Sequence, residues 1–287
     1  MSQPSHYRLR VAIVYFSATN VTRSYAKVIH RHLNEHNCDA HLFDITPHIA
    51  RQNHLPINHY DAFIFGFPVF ADFSPSVIHS WLPTLQGAGK KCAQFFTYGA
   101  RSSGHAHYHT AHLLHQADFQ VLLSAEFLGR HTFNVAGWQV IPDRPNGSDF
   151  QLAKQFADLS FSKFMDENTQ PYIPPRLDGF AESFARLQTR LPKAVRAYTN
   201  PTRIKENCRM CRLCETQCPT LAFNADTGLS DPATCIECMH CVCICPDEAI
   251  KPDARMKDVY QKFLERHQLT EEIMNAKQGI IFQAENL

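Results

Sequence analysis

The chain has 287 residues, 44% hydrophobic and 19% charged, with a formal net charge of +1. That balance describes a globular protein with no whole-molecule attraction to nucleic acid or an acidic membrane surface. No apolar run reaches the 18 or so residues of a membrane span, and the length argues against a small secreted disulfide scaffold for the 11 cysteines.

At about 150 residues per domain the chain has room for two domains. The first residues run into a strand-like stretch without the apolar core of a signal peptide, so a cytoplasmic protein is expected. Residues 9–16 read Leu-Arg-Val-Ala-Ile-Val-Tyr-Phe, an apolar run suited to a central parallel strand. Residues 23–33 carry Ala26, Ile29 and Leu33 on one helical face. Further strands are predicted at 40–44, 62–66, 92–98 and 121–127. Helices are predicted at 76–82, 107–117 and 150–165, the last with Leu152, Phe156, Leu159 and Phe164. This alternation predicts an α/β domain over residues 1–166, a doubly wound five-stranded parallel sheet in the order 2-1-3-4-5. Its ligand site should lie beyond the strand carboxyl ends, on the loops after strands one, three and four.

The first loop, Ser17-Ala18-Thr19-Asn20-Val21-Thr22, offers hydroxyls and a helix start to a phosphate, although a plain helix cap reads the same way. The second, Gly66-Phe67-Pro68-Val69-Phe70-Ala71-Asp72, has in Phe70 a face for a planar ring or a core aromatic beside a turn. The third contains Thr97, Tyr98, Gly99 and Gly104, whose glycines permit close backbone approach or simply make a flexible connection. No G-K-[ST] follows any strand, which removes a P-loop.

Taken together, these three stretches make residues 8–166 resemble a flavodoxin. The resemblance implies FMN held by Ser17, Ala18, Thr19, Asn20, Val21, Thr22, Pro68, Val69, Phe70, Ala71, Thr97, Tyr98, Gly99 and Gly104. The family carries glycine where Ala18 and Asn20 stand; Asn tolerates positive φ better than Ala does.

Residues 167–200 read as a proline-rich linker and a bridging helix at 180–195, with Phe180, Phe184, Leu187 and Leu191 on one face to dock the module that follows. Two cysteine phrases come next, Cys208-x2-Cys211-x2-Cys214-x3-Cys218-Pro219 and Cys235-x2-Cys238-x2-Cys241-x3-Cys245-Pro246. Residues 201–252 thereby resemble a bacterial ferredoxin, a small α+β domain with two [4Fe–4S] clusters. That arrangement implies one cluster on Cys208, Cys211, Cys214 and Cys245, and a second on Cys235, Cys238, Cys241 and Cys218. Structural zinc would leave both Cys-Pro cysteines unused, and Met239 after Cys238 excludes a c-type haem motif. Cys38, Cys92 and Cys243 fall outside these sets, and Cys243 is expected to be a buried small apolar residue.

The whole order is similar to fused flavodoxin–ferredoxin proteins. This implies electron transfer between the two clusters and FMN, serving a redox partner protein as donor or acceptor. A flavoenzyme acting directly on a small molecule is the alternative, its cavity near Phe70, Asp72, Tyr98 and Arg101 and roofed by residues 129–147 with His131 and Trp138. A redox or oxygen sensor is a third reading. The tail, 253–287, is expected to be helical, chiefly at 254–267 with Val259, Phe263 and Leu264 apolar. His105, His109 and His112 share a helical face, read as a solvated polar face rather than a metal site.

Overall fold

The computed structural model describes residues 8–188 and 199–284. Its first part runs β1 (Leu9–Tyr15), α1 (Val21–Glu35), β2 (Cys38–Asp44), β3 (Ala62–Pro68), α2 (Ser76–Trp81), β4 (Lys90–Tyr98), α3 (Ala106–Gln116), β5 (Phe119–Leu128) and α4 (Gly147–Met165). The five strands are parallel in the order β2-β1-β3-β4-β5, with Ile13 opposite both Leu42 and Ile64. This is the flavodoxin-like order, in which strand order reverses between β1 and β3.

Successive β1 side chains enter different cores, as strand geometry requires. Val11 and Ile13 meet Tyr25, Ile29, Leu33 and Phe156 of α1 and α4. Ala12 and Val14 meet Ile78, Leu113 and Leu114 on the α2 and α3 side. With both faces covered, the apolar runs of β1 and β3 become almost wholly buried strands, while β2 stays partly exposed.

After α5 (Phe180–Gln188) comes a small unit of β6 (Thr202–Arg203), α6 (Leu213–Thr216), β7 (Phe223–Asn224), β8 (Leu229–Ser230), α7 (His240–Ile244) and β9 (Ile250–Lys251). Its backbone repeats itself. Met210, Arg212 and Leu221 have positive φ, and so do Glu237, Met239 and Glu248 at the same offsets from the first, third and fourth cysteines of each phrase. In both halves the amide two residues after the first cysteine donates to that sulfur at 3.4 Å, Met210 to Cys208 and Glu237 to Cys235.

The tail holds α8 (Met256–Arg266), α9 (Glu271–Ala276) and β10 (Ile280–Gln283). β10 joins the large sheet antiparallel to β5, with Phe282 opposite Ser124, so the sheet has a sixth strand that the sequence reading does not include.

Three further expectations are corrected. His105 and His109 are buried rather than solvated, under the stacked rings of Phe180 and Phe184; His112 alone of the three is exposed. Those rings put α5 against the first domain, at Phe73, whereas docking on the cysteine-rich unit was expected. The rest of the predicted bridging helix, 189–195, lies outside the described residues. Cys243 is exposed, not buried.

Candidate cofactor sites

The loops after β1, β3 and β4 meet at one cavity of about 250 Å³. Every residue predicted to touch flavin lines it except Asn20 and Gly104. Asn20 instead forms the turn into α1, at φ 66°. Gly104, at φ 56°, lets its loop close onto Asp72, whose Cβ lies 2.5 Å from where a glycine 104 Cβ would stand. Ala18 does not have positive φ, so alanine there is unstrained.

The α1 end of the cavity presents free backbone amides. The Asn20 side chain makes no capping bond, and the amides of Thr19, Asn20, Val21 and Thr22 find no acceptor among the described residues. Free amides and the positive end of the helix dipole favour a phosphate. Ser17 is held by its own amide donating to Thr46 Oγ1 at 2.7 Å, while its Oγ accepts from the Arg23 amide at 3.0 Å. The Thr22 and Thr97 hydroxyls are 2.8 Å apart, joining the first and third loops.

At the other end, Phe70 and Phe73 exchange backbone hydrogen bonds of 2.7 and 3.1 Å around Ala71 and Asp72, both at positive φ. This tight reversal presents the half-buried Phe70 ring to the cavity, edge-on to Phe16 at 6.4 Å. Asp72 pairs with Arg101, and its carbonyl accepts the His105 amide at 2.7 Å, so the second loop is pinned to the third.

Gly129, Arg130, His131, Thr132 and Phe133 complete the wall after β5. His131 stacks on Trp138 at 4.9 Å, and its Nδ1 accepts the Phe133 amide at 3.0 Å. Burial, with Arg101 nearby, pushes its pKa down to about 4, so the ring is neutral near pH 7. Gly99 makes this possible: a Cβ there would come within 2.9 Å of the His131 side chain.

A second, smaller space is lined by Cys218, Cys235, Cys238 and Cys241 together. Cys218 thus leaves its own phrase to join the other. No three cysteine sulfurs among the described residues lie within 4.8 Å of one another. Four thiolates on one tetrahedral zinc would stand about 3.8 Å apart, given Zn–S bonds near 2.3 Å. The sulfurs are therefore spread too widely for a mononuclear zinc site. Burial raises the Cys238 thiol pKa strongly and that of Cys214 to about 11, a cost that ligation by a positively charged centre offsets.

No family model matches the chain. Ferredoxin-1 of Chlorobaculum tepidum is 40% identical over 55 residues, covering 16% of this chain and 89% of that protein. The chain belongs to the ferredoxin family. Its ferredoxin part is joined to a flavodoxin-like α/β domain. Similar solved structures include a flavodoxin from the domain Archaea, 17% identical over 55% of this chain and 100% of that one, TM-score 0.42. Oxidised Flavodoxin 1 from Bacillus cereus is 16% identical over 53% of this chain and 97% of that one, TM-score 0.40.

The ferredoxin part reaches the flavodoxin-like cavity directly. Ile236 and Glu237, inside the Cys235–Cys238 turn, are part of the cavity wall. Ile236 and Cys238 are buried in the same core as Ala18 and Phe65. Arg51 donates to the carbonyls of Thr46, at 2.9 Å, and of Pro219, the residue after Cys218. The sequence reading missed Ile236 and Glu237 as cavity residues because nothing local marks a contact across more than 200 positions. The sequence places His131 in the roof of a small-molecule cavity, and it lines this cavity too.

Proposed function

We propose that this chain is an electron-transfer flavoprotein in which FMN occupies the cavity at the α1 end of the sheet and two [4Fe–4S] clusters occupy the ferredoxin part. The observation that carries the reading is the shared wall: Ile236 and Glu237 border the flavin cavity while belonging to a cysteine turn. FMN bound there would supply both one- and two-electron chemistry, and the cubanes one-electron steps.

The protein's own part is binding and positioning. Ser17, Thr19 and the free amides of Thr19, Asn20, Val21 and Thr22 would hold the phosphate. Phe70 would cover the ring system, and Tyr98 and Gly99 would offer backbone to its edge. Cys235, Cys238, Cys241 and Cys218 would hold the cluster nearer the cavity. Cys208, Cys211, Cys214 and Cys245 would hold the outer one, where Cys211 is exposed and open to a redox partner protein. The order of flow is then partner, outer cluster, inner cluster and flavin, or its reverse.

Stopped-flow mixing of anaerobically reconstituted protein with a reductant of the clusters tests this. Flavin bleaching should follow cluster bleaching with a first-order rate independent of protein concentration. A rate proportional to concentration would place the transfer between molecules and defeat the proposal.

One observation favours the second reading, an enzyme acting on a small molecule: a further cavity of about 540 Å³ opens beside the first and shares Val69, Tyr98, Gly99 and His131 with it.

A further inference from the structure

The tail beyond residue 252 belongs to neither cofactor unit, yet it is fixed in place at three separate points. Trp138 Nε1 donates to the Met256 carbonyl at 2.8 Å, Lys277 Nζ donates to the Arg101 carbonyl at 2.9 Å, and β10 pairs with β5. What this fastening achieves is a wall. Helix α8 and its cap residue line the 540 Å³ cavity with Val259, Lys262, Phe263, Arg266 and His267.

We propose that this cavity binds a small organic anion with a planar unsaturated body and a carboxylate group. The walls are rings: Tyr98, Phe133, Trp138 and Phe263, with Trp138 and Phe263 packed at 4.8 Å. Such faces select a flat apolar body. The charge lies at the mouth. Within the lining, Asp72 and Arg101 neutralise each other as an ion pair. Lys262 and Arg266 remain, one helical turn apart on α8, both exposed and with no ion pair among the described residues. The two histidines present add no positive charge near neutral pH. Burial lowers the pKa of both His131 and His267, with neighbouring arginine charge acting in the same direction. The excess charge is therefore cationic and confined to the rim, while the floor is aromatic and adjoins the flavin cavity through Tyr98 and His131. A ligand held by its carboxylate at Lys262 and Arg266 would extend its flat body toward that cavity.

This deepens the enzyme reading and rests on it for its redox meaning; binding of the anion itself does not require flavin. The test is calorimetric titration of the full, anaerobically reconstituted chain with cinnamate, cinnamyl alcohol and inorganic phosphate. Cinnamate should bind at least about fivefold tighter than the alcohol, the effect of roughly one exposed charge contact. Phosphate should not displace it at equal concentration. In Lys262→Gln/Arg266→Gln, changed at exposed positions, the preference for the acid should vanish while the circular dichroism spectrum and flavin content stay unchanged. Equal affinity for acid and alcohol, absence of binding, or a preference that survives in the double variant would overturn the proposal. Displacement by phosphate would overturn its aromatic part. Flavin retained without cinnamate selectivity defeats this site alone; cinnamate selectivity in protein that cannot take up FMN defeats the flavin reading alone.

Discussion

His240 Nδ1 lies 2.9 Å from the carbonyl oxygen of Ala18. The carbonyl can only accept, so the ring nitrogen donates, which fixes the imidazole tautomer. One partner stands between Cys238 and Cys241, the other in the loop that leads into α1. Together with Arg51, which ties Thr46 to Pro219, it fastens the cysteine turn to the α1 end of the cavity. A domain interface without such ties would be expected to move; here a cluster and a flavin would be held at constant separation.

The crossing of Cys218 into the second phrase predicts an asymmetric loss. Cys218→Ser should remove the cluster on Cys235, Cys238 and Cys241 and leave the one on Cys208, Cys211, Cys214 and Cys245. Iron should fall from about eight to about four atoms per chain, with flavin reduction uncoupled from the surviving cluster. Iron analysis with low-temperature electron paramagnetic resonance reads both. Loss of the outer cluster instead would mean that the fourth cysteine stays with its own phrase.

Phe70 predicts an effect on binding rather than on stability. Its ring is half-buried and its turn is held by backbone bonds to Phe73, which alanine keeps. Phe70→Ala should weaken FMN binding by about 1 kcal/mol, the usual worth of one aromatic contact, or roughly fivefold in the dissociation constant. Fluorescence titration of the apoprotein measures it, and an unchanged constant would make Phe70 only a packing residue.

What the sequence made legible is local or repetitive. The strands are runs of β-branched and aromatic residues between turns, and the sheet order follows from their alternation with amphipathic helices. The cysteine phrases announce themselves by spacing. What stayed hidden depends on distant chain segments. Residues 280–283, Ile-Ile-Phe-Gln, are too short to signal a strand, and only an open β5 edge makes them one. His105 and His109 look solvent-facing because histidine is polar; Phe180 and Phe184, more than 70 residues away, bury them. Gly104 lies outside the cavity lining, and its lack of a side chain lets its loop pack on Asp72, a contact no local pattern signals.

Those buried rings predict a pH dependence of stability. Burial pushes the pKa of His79 down to about 4, and burial with the nearby His79, His112 and His105 pushes that of His109 down to about 3. His79 Nε2 and His109 Nδ1 are buried with no hydrogen-bond partner among the described residues. Both rings are neutral in the folded state where the unfolded chain, with histidine near 6.5, already takes up protons. Their contribution is complete above about pH 6.5 and is lost as pH falls toward 4, at up to about 1.4 kcal/mol per pH unit for each ring. Urea unfolding at about pH 7 and pH 5 should show this slope, and His109→Leu should flatten it relative to the parent. An equal slope in both proteins would mean that carboxylates govern the acid response.

Gly129 couples the wall after β5 to the start of α1. A Cβ at 129 would stand 2.2 Å from Val21 Cγ1, far inside contact distance, and Val21 is β-branched, with little rotamer freedom in the helix. Gly129→Ala must therefore push the first turn of α1, where the free amides lie. Overpacking of this kind costs about 1–3 kcal/mol. The same shift should weaken FMN binding, because the displaced amides of Val21 and Thr22 are those assigned to the phosphate. Trimming the obstructing side chain separates this cause from a general loss of stability: in Gly129→Ala/Val21→Ala the clash is gone, and flavin affinity should return most of the way to the parent value. Titration of the two variants with FMN reads the outcome. Failure of the second change to restore binding would show that the glycine matters for its own backbone and not for the approach of Val21.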